Sequence, residues 1–233
     1  MAPSSEPRVV EQQSLPESFP EMEEAQFQSS HSSDWRPKRD RHARSSEQGA
    51  HAHTASNKKC MKALLDDLLD FNRTRLGLGI NMARTRVDLG MLLADEVTEL
   101  RAAHPDHPVE LEVRRDCRGM WDGRRVEQLL MNLVTNAMKY GTPRALVRVI
   151  LSGDEKDVRI DVINSGPAID PAILARIFEP LNRGAQPASA DGGLGLGLYI
   201  AQEIAKGHGG EITARSAASE TIFTARLPRF PTV

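Results

Sequence analysis

The run Asp191-Gly-Gly-Leu-Gly-Leu-Gly-Leu-Tyr-Ile200 constrains this chain more than any other stretch. Gly193, Gly195 and Gly197 alternate with leucines, and the run opens into a helix-like stretch, Leu198 to Lys206. Glycine at every second position lets backbone amides approach a ligand without interference from Cβ. Amides that converge at a helix start make an anion site, favoured by the helix dipole. The run therefore reads as a phosphate cradle or, on its own, equally as a flexible loop capping a packed helix. Two commoner cradles do not fit. A Walker loop ends in Gly-Lys-Ser/Thr, and here Leu198 and Tyr199 follow the last glycine. The dinucleotide fingerprint needs a glycine three places after Gly195, where Leu198 stands.

Three upstream segments add weight. In Glu127-Gln-Leu-Leu-Met-Asn-Leu-Val-Thr-Asn-Ala-Met-Lys-Tyr140, Leu129, Leu130, Leu133, Val134 and Ala137 form an apolar helical stripe. Asn132 and Asn136 share another face, with Lys139 close to it. Asn carbonyls are hard oxygen donors suited to Mg²⁺, and Lys neutralises phosphate charge; alternatively the two Asn cap or bridge neighbouring loops. In Val158-Arg-Ile-Asp-Val-Ile-Asn-Ser-Gly-Pro-Ala-Ile169, strand alternation breaks at Asn164-Ser-Gly166-Pro, a tight turn. Ile177-Phe-Glu-Pro-Leu-Asn-Arg-Gly184 ends a short helix pattern and leads into a Gly/Ala/Ser/Pro stretch over 184–192, which reads as a mobile lid.

In this order the four segments resemble the N, G1, F and G2 boxes of the Bergerat-type ATPases, the group that includes gyrase, the MutL repair proteins and the sensor histidine kinases. Asn136-Ala-Met-Lys-Tyr-Gly, Phe-Glu-Pro and His208-Gly-Gly-Glu-Ile are similar to the histidine kinases in particular, over residues 58–230. The resemblance implies ATP and Mg²⁺ as cofactors. It gives Asn136 the role of Mg²⁺ ligand, with Asn132 a second polar contact one turn earlier. Lys139 is to touch the phosphates and Tyr140 to flank the nucleotide. Gly193, Leu194, Gly195, Leu196 and Gly197 are to wrap the triphosphate, and Arg183 to hold the γ-phosphate for transfer. Asn164 and Gly166 are to meet the base. His208 is expected to pack or cap the helix end.

Asn164 departs from the family pattern, which usually has Asp there to accept from the adenine amino group. Asn still accepts through its carbonyl oxygen, without charge assistance, a loss on the order of 1 kcal/mol. Ala168 replaces the usual second glycine of that box. Both features resemble phytochrome-like members. In gyrase-like relatives a Glu one turn before the Mg²⁺ ligand activates water. Asn132 stands there and cannot act as a base. Glu127, nine residues before Asn136, is expected off that face. The resemblance thus implies phosphoryl transfer by positioning and charge neutralisation.

Net charge is −2 over 233 residues with 39% apolar content, as for one domain of ordinary size plus extra segments, with no nucleic-acid footprint. The sequence has no apolar run of membrane-spanning length. Only two cysteines, Cys60 and Cys117, argue against a disulfide framework or zinc site and fit a reducing cytoplasm. Residues 1–57 are polar and aperiodic, and disorder is expected. Over 58–80 a stripe of Met61, Leu64, Leu65, Leu68 and Phe71 opposes Lys62, Asp66, Asp67 and Asp70 and ends at Gly77 and Gly79. This resembles the last part of a kinase dimerisation-hairpin helix and implies a homodimer; the alternative is an amphipathic helix packed on its own domain.

Residues 81–233 are expected to form the catalytic domain, an α/β (α+β) two-layer sandwich. Its elements are a helix 88–103, a strand 108–114, a turn at Arg118-Gly119, the Asn helix capped by Asp122, a hairpin around Gly153-Asp154, the last helix, and strands 210–215 and 221–227. A mixed sheet is covered on one face by helices.

None of His31, His42, His51 and His53 sits in the family's phosphoacceptor setting. The resemblance therefore implies a kinase acting on a histidine of another domain or chain, with a response regulator downstream. The alternatives are a nucleotide-dependent protein-binding module, an anti-sigma-like serine kinase, or an inactive truncated fragment.

Overall fold

The computed structural model describes residues 64–181 and 194–230. In chain order these form helix α1 (64–75), strand β1 (Thr85–Asp88), α2 (Leu89–Ala103), β2 (Val109–Arg114), β3 (Arg118–Trp121), α3 (Gly123–Tyr140), β4 (Val147–Gly153), β5 (Asp157–Ser165), the short α4 (Pro171–Leu174), α5 (Gly197–Gly207), β6 (Glu211–Ala217) and β7 (Glu220–Pro228). The expectations for residues 1–57 and for the lid, and the roles given to Arg183 and Gly193, lie outside the described residues.

The sheet has the order β2-β4-β5-β7-β6. β2 runs parallel to β4, and the other neighbours are antiparallel, so the sheet is mixed as expected. Strand alternation sends Val147, Val149 and Leu151, then Val158, Ile160 and Val162, then Phe223, Ala225 and Leu227 to the covered face. α3 meets that face with Val126, Leu129, Leu130, Leu133, Val134 and Ala137, flanked by α2 (Leu89, Leu93, Val97, Leu100) and α5 (Ile200, Ala201, Ile204, Ala205). The other face is charged and paired across strands: Arg226 reaches Asp157 at 2.8 Å and Glu211 at 3.0 Å.

Side chains fix the element starts. Asp88 Oδ1 accepts from Gly90 N at 2.9 Å and caps α2. Asp122 Oδ1 accepts from Arg125 N at 3.2 Å and caps α3, while its Oδ2 accepts from Ala83 N at 2.8 Å. In the β4–β5 turn, Asp154 Oδ1 accepts from the Lys156 and Asp157 amides, both at 2.8 Å. After β7, the buried Arg229 guanidinium donates to three backbone carbonyls, those of Asp116, Arg118 and Asp154.

One expectation is corrected. Arg118-Gly119 is no turn but the start of β3, which pairs antiparallel with β1 as a separate two-stranded ribbon. The glycine is required by packing: a Cβ at Gly119 would lie 2.4 Å from the Trp121 ring. Helix α1 ends at Gly77, with φ of +73°, closed by Leu78 N to Arg73 O at 3.0 Å, as expected. Of its apolar stripe, Leu64, Leu65 and Leu68 are exposed and Phe71 packs edge-on against Tyr199, while on the other side Asp70 is buried against α3. The acidic side docks because Arg125 and Gln128 offer it a complete set of donors.

Candidate functional site

One side of α3, away from its apolar stripe, carries the polar residues Gln128, Asn132 and Asn136. Asn132 and Asn136 are half-buried on this side, one turn apart. The first turn of α5 comes up against it: a Cβ at Gly197 would touch Asn132 Oδ1 at 3.4 Å. The Asn132 amide nitrogen, a donor, is buried with no hydrogen-bond partner among the described residues.

α5 starts without a side-chain cap; its N-cap residue is the buried Leu196. Among the described residues nothing caps its first-turn amides, so they suit an anion, reinforced by the dipole. Gly195 takes φ of +71°, which only glycine adopts without strain, and turns its carbonyl to accept from Leu181 N at 3.1 Å. That bond ties the glycine run to the Phe-Glu-Pro segment. Phe178 anchors the segment by packing edge-on against Phe223, with ring centroids 6.5 Å apart.

The floor lies where α3 ends beside β5. Asn164 is buried, its Nδ2 only 3.3 Å from Ser165 O, and its Oδ1 has no partner among the described residues. Ser165 O is already taken by Thr142 N at 2.7 Å, so the amide bond of Asn164 is a secondary one. A Cβ at Gly141 would lie 2.9 Å from Asn164 Nδ2 and 2.5 Å from Ala137 O. A Cβ at Gly166 would lie 3.2 Å from Gly141 Cα. Two glycine backbones thus close the floor. Gly141 was missed as a site residue; glycine after a helix reads as a cap, and only the third dimension shows the strand behind it.

Tyr140 is exposed, and the Lys139 ammonium stands 5.3 Å from its ring centroid. Both are free to turn toward a ligand. Glu127 lies on another side, toward Glu99 and Asp95 of α2, and burial with these like charges raises its pKa. No carboxylate base is therefore supplied from that position. His208 is fully buried; its Nε2 accepts from Asp122 N at 3.0 Å, and its ring Nδ1 lies 2.9 Å from Ile204 O. Burial lowers its pKa, so it serves structure, as expected.

The site thus offers an open helix start, an orphan buried donor on Asn132 and an orphan buried acceptor on Asn164. These fit a phosphorylated ligand whose other end carries an amino group. Residues 121–231 match the family model of histidine kinase-, DNA gyrase B- and HSP90-like ATPases. These residues form a domain of that ATPase family. Among curated relatives, the ATPase domain and its flanks are 32% identical over 181 residues to a bacteriophytochrome of Pseudomonas aeruginosa, covering 76% of this chain and 24% of that protein. They are 34% identical over 183 residues to the probable sensor histidine kinase TcrY of Mycobacterium tuberculosis, covering 77% and 38%. The chain thus spans well under half the length of these relatives. Among solved structures, the catalytic domain of histidine kinase ThkA matches with a TM-score of 0.55 at 25% identity, covering 64% of this chain and all of that one. ShkA, solved with AMPPNP, matches at 0.61 and 25%, covering 80% and 40%. The fold is that of histidine kinase catalytic domains, the ATP-binding part of two-component kinases. Among the described residues no helix is long and apolar enough to cross a membrane.

Proposed function

We propose that this chain is the catalytic part of a sensor histidine kinase that transfers the γ-phosphoryl group of Mg-ATP to a histidine on another domain or chain. The pair of buried, unpartnered amide atoms, Asn132 Nδ2 and Asn164 Oδ1, carries the reading. An unmet buried polar atom costs about 1–3 kcal/mol, and a ligand that pairs with both removes that cost.

Bound ATP supplies the transferable phosphoryl group. Asn164 Oδ1 accepts from the base amino group, and Gly141 and Gly166 let the base approach the backbone. Tyr140 covers the ring. Leu194, Gly195, Leu196 and Gly197, with Gly193 before them, surround the phosphates, and the α5 amides hold their charge. Asn132 donates to a phosphate oxygen, Asn136 offers its carbonyl oxygen to Mg²⁺, and Lys139 and Arg183 neutralise charge. No residue at the turn before Asn136 can activate water, which favours transfer over hydrolysis.

The acceptor histidine belongs to a dimerisation domain, and the exposed leucines of α1 suit a homodimer through 58–80. A response regulator is the next partner; ThkA has been solved in complex with the response regulator protein TrrA, a likeness in fold at 21% identity and a TM-score of 0.57. An ATP-using domain with a buried free thiol, Cys117, fits the cytoplasm.

Titration calorimetry with Mg-ATP, on the intact chain and on Asn136→Ala, tests the reading. Saturable binding that is lost in the variant, with its melting temperature kept, supports it. Equal affinity in both removes the site assignment.

A further inference from the structure

Helix α1 touches the ATPase domain at two points, and each is a chain of hydrogen bonds. At the first, both oxygens of buried Asp70 accept from Arg125, Oδ1 from Nη2 at 3.0 Å and Oδ2 from Nη1. Gln128 completes the set: its Nε2 donates to Asp67 Oδ1 at 3.0 Å, and its Oε1 accepts from Arg125 Nη1 at 2.8 Å. At the second, Tyr199 Oη donates to Thr74 Oγ1 at 2.9 Å, which donates on to Phe71 O at 2.9 Å. The Phe71 and Tyr199 rings meet edge-on at 5.8 Å.

The placement of these partners matters. Gln128, Asn132 and Asn136 follow one another at i, i+4, i+8, so α1 grips the same stripe of α3 that carries the candidate nucleotide contacts. Tyr199 stands two residues after Gly197, in the first turn of α5. The gap between α3 and α5 is thus bounded by the Asn132–Gly197 contact on the ligand side and bridged by α1 beyond it. A phosphate spanning that gap needs both helices at one separation.

We propose that α1 is a positioning element for the nucleotide: the Asp70–Arg125–Gln128 network and the Thr74–Tyr199 bond hold α3 and α5 at the spacing that the phosphates require, so α1 docking and nucleotide binding are linked. The proposal rests on the nucleotide reading above. Linkage is reciprocal: if docked α1 raises affinity by some factor, bound nucleotide strengthens docking by the same factor. The exposed leucines on the opposite face leave α1 free to join a helix partner while docked.

The test combines calorimetry with amide hydrogen exchange on the intact chain, Asp70→Asn and Thr74→Val. Saturating Mg-ATP is expected to slow exchange over 64–75 in the intact chain. Each variant is expected to bind Mg-ATP fivefold or more weaker, while α3 amides stay protected and unfolding stays cooperative. Unchanged exchange over 64–75 on nucleotide binding overturns the proposal, and needs no variant. So does wild-type affinity in both variants. If the intact chain binds no Mg-ATP, the nucleotide reading itself fails, and this proposal with it.

Discussion

The His208 imidazole at the end of α5 accepts the backbone N–H of Asp122, the residue that caps α3, across 3.0 Å. An acceptor Nε2 carries no proton, so the ring is neutral, with Nδ1–H assigned to donate to Ile204 O. Burial is the main cause of its lowered pKa, aided by the Arg84 charge and opposed by the Ile204 carbonyl and Asp122. The unfolded chain therefore takes up a proton below about pH 6.5 that the folded chain refuses. Stability from this group is present above that pH and is lost as pH falls. Thermal melts at pH 7.5 and 5.5 are expected to differ by less in His208→Gln than in the wild type.

Gly141→Ala drives a methyl into backbone, 2.5 Å from Ala137 O and 2.9 Å from Ser165 O. Neither atom belongs to a flexible side chain, so the end of α3 must shift. The expected cost is about 1–3 kcal/mol of stability, read by urea denaturation, together with weaker Mg-ATP binding.

Asn164→Ala separates binding from stability. It deletes a buried acceptor that nothing satisfies in the free chain, so the melting temperature without ligand is expected not to fall. Affinity for Mg-ATP is expected to drop by on the order of 1 kcal/mol, about fivefold, in calorimetry. A large loss of stability with unchanged affinity would mark Asn164 as structural only.

Leu65→Glu with Leu69→Glu changes side chains that are 56% and 62% exposed. Folding stability is expected to move by less than about 0.5 kcal/mol per site. Sedimentation velocity is expected to show the wild type self-associating and the double variant monomeric.

Much of the site was legible because its residues lie in short segments with their own periodicity. The apolar stripe of α3 announces a helix, and that fixes Asn132 and Asn136 on one face. The β4–β5 hairpin is written in Gly153-Asp154, since Asp154 bonds its own turn. What stayed hidden depends on distant partners. Asp70 is buried, on the side away from the exposed Leu64, because Arg125, 55 positions beyond it, supplies the donors. Gly119 looks like a turn residue, yet it makes room for a tryptophan on its own strand.

The three hydrogen bonds of Arg229 set a limit on how short a working fragment can be made. One guanidinium serves the β4–β5 turn and the approach to β3, both more than 70 positions upstream. Trimming the tail at Pro228 strips three carbonyl oxygens of their donor at once and leaves the ribbon held at that end by the Trp121 Nε1 to Pro228 O bond. A soluble expression boundary therefore has to fall after Arg229, even though that residue stands outside every strand.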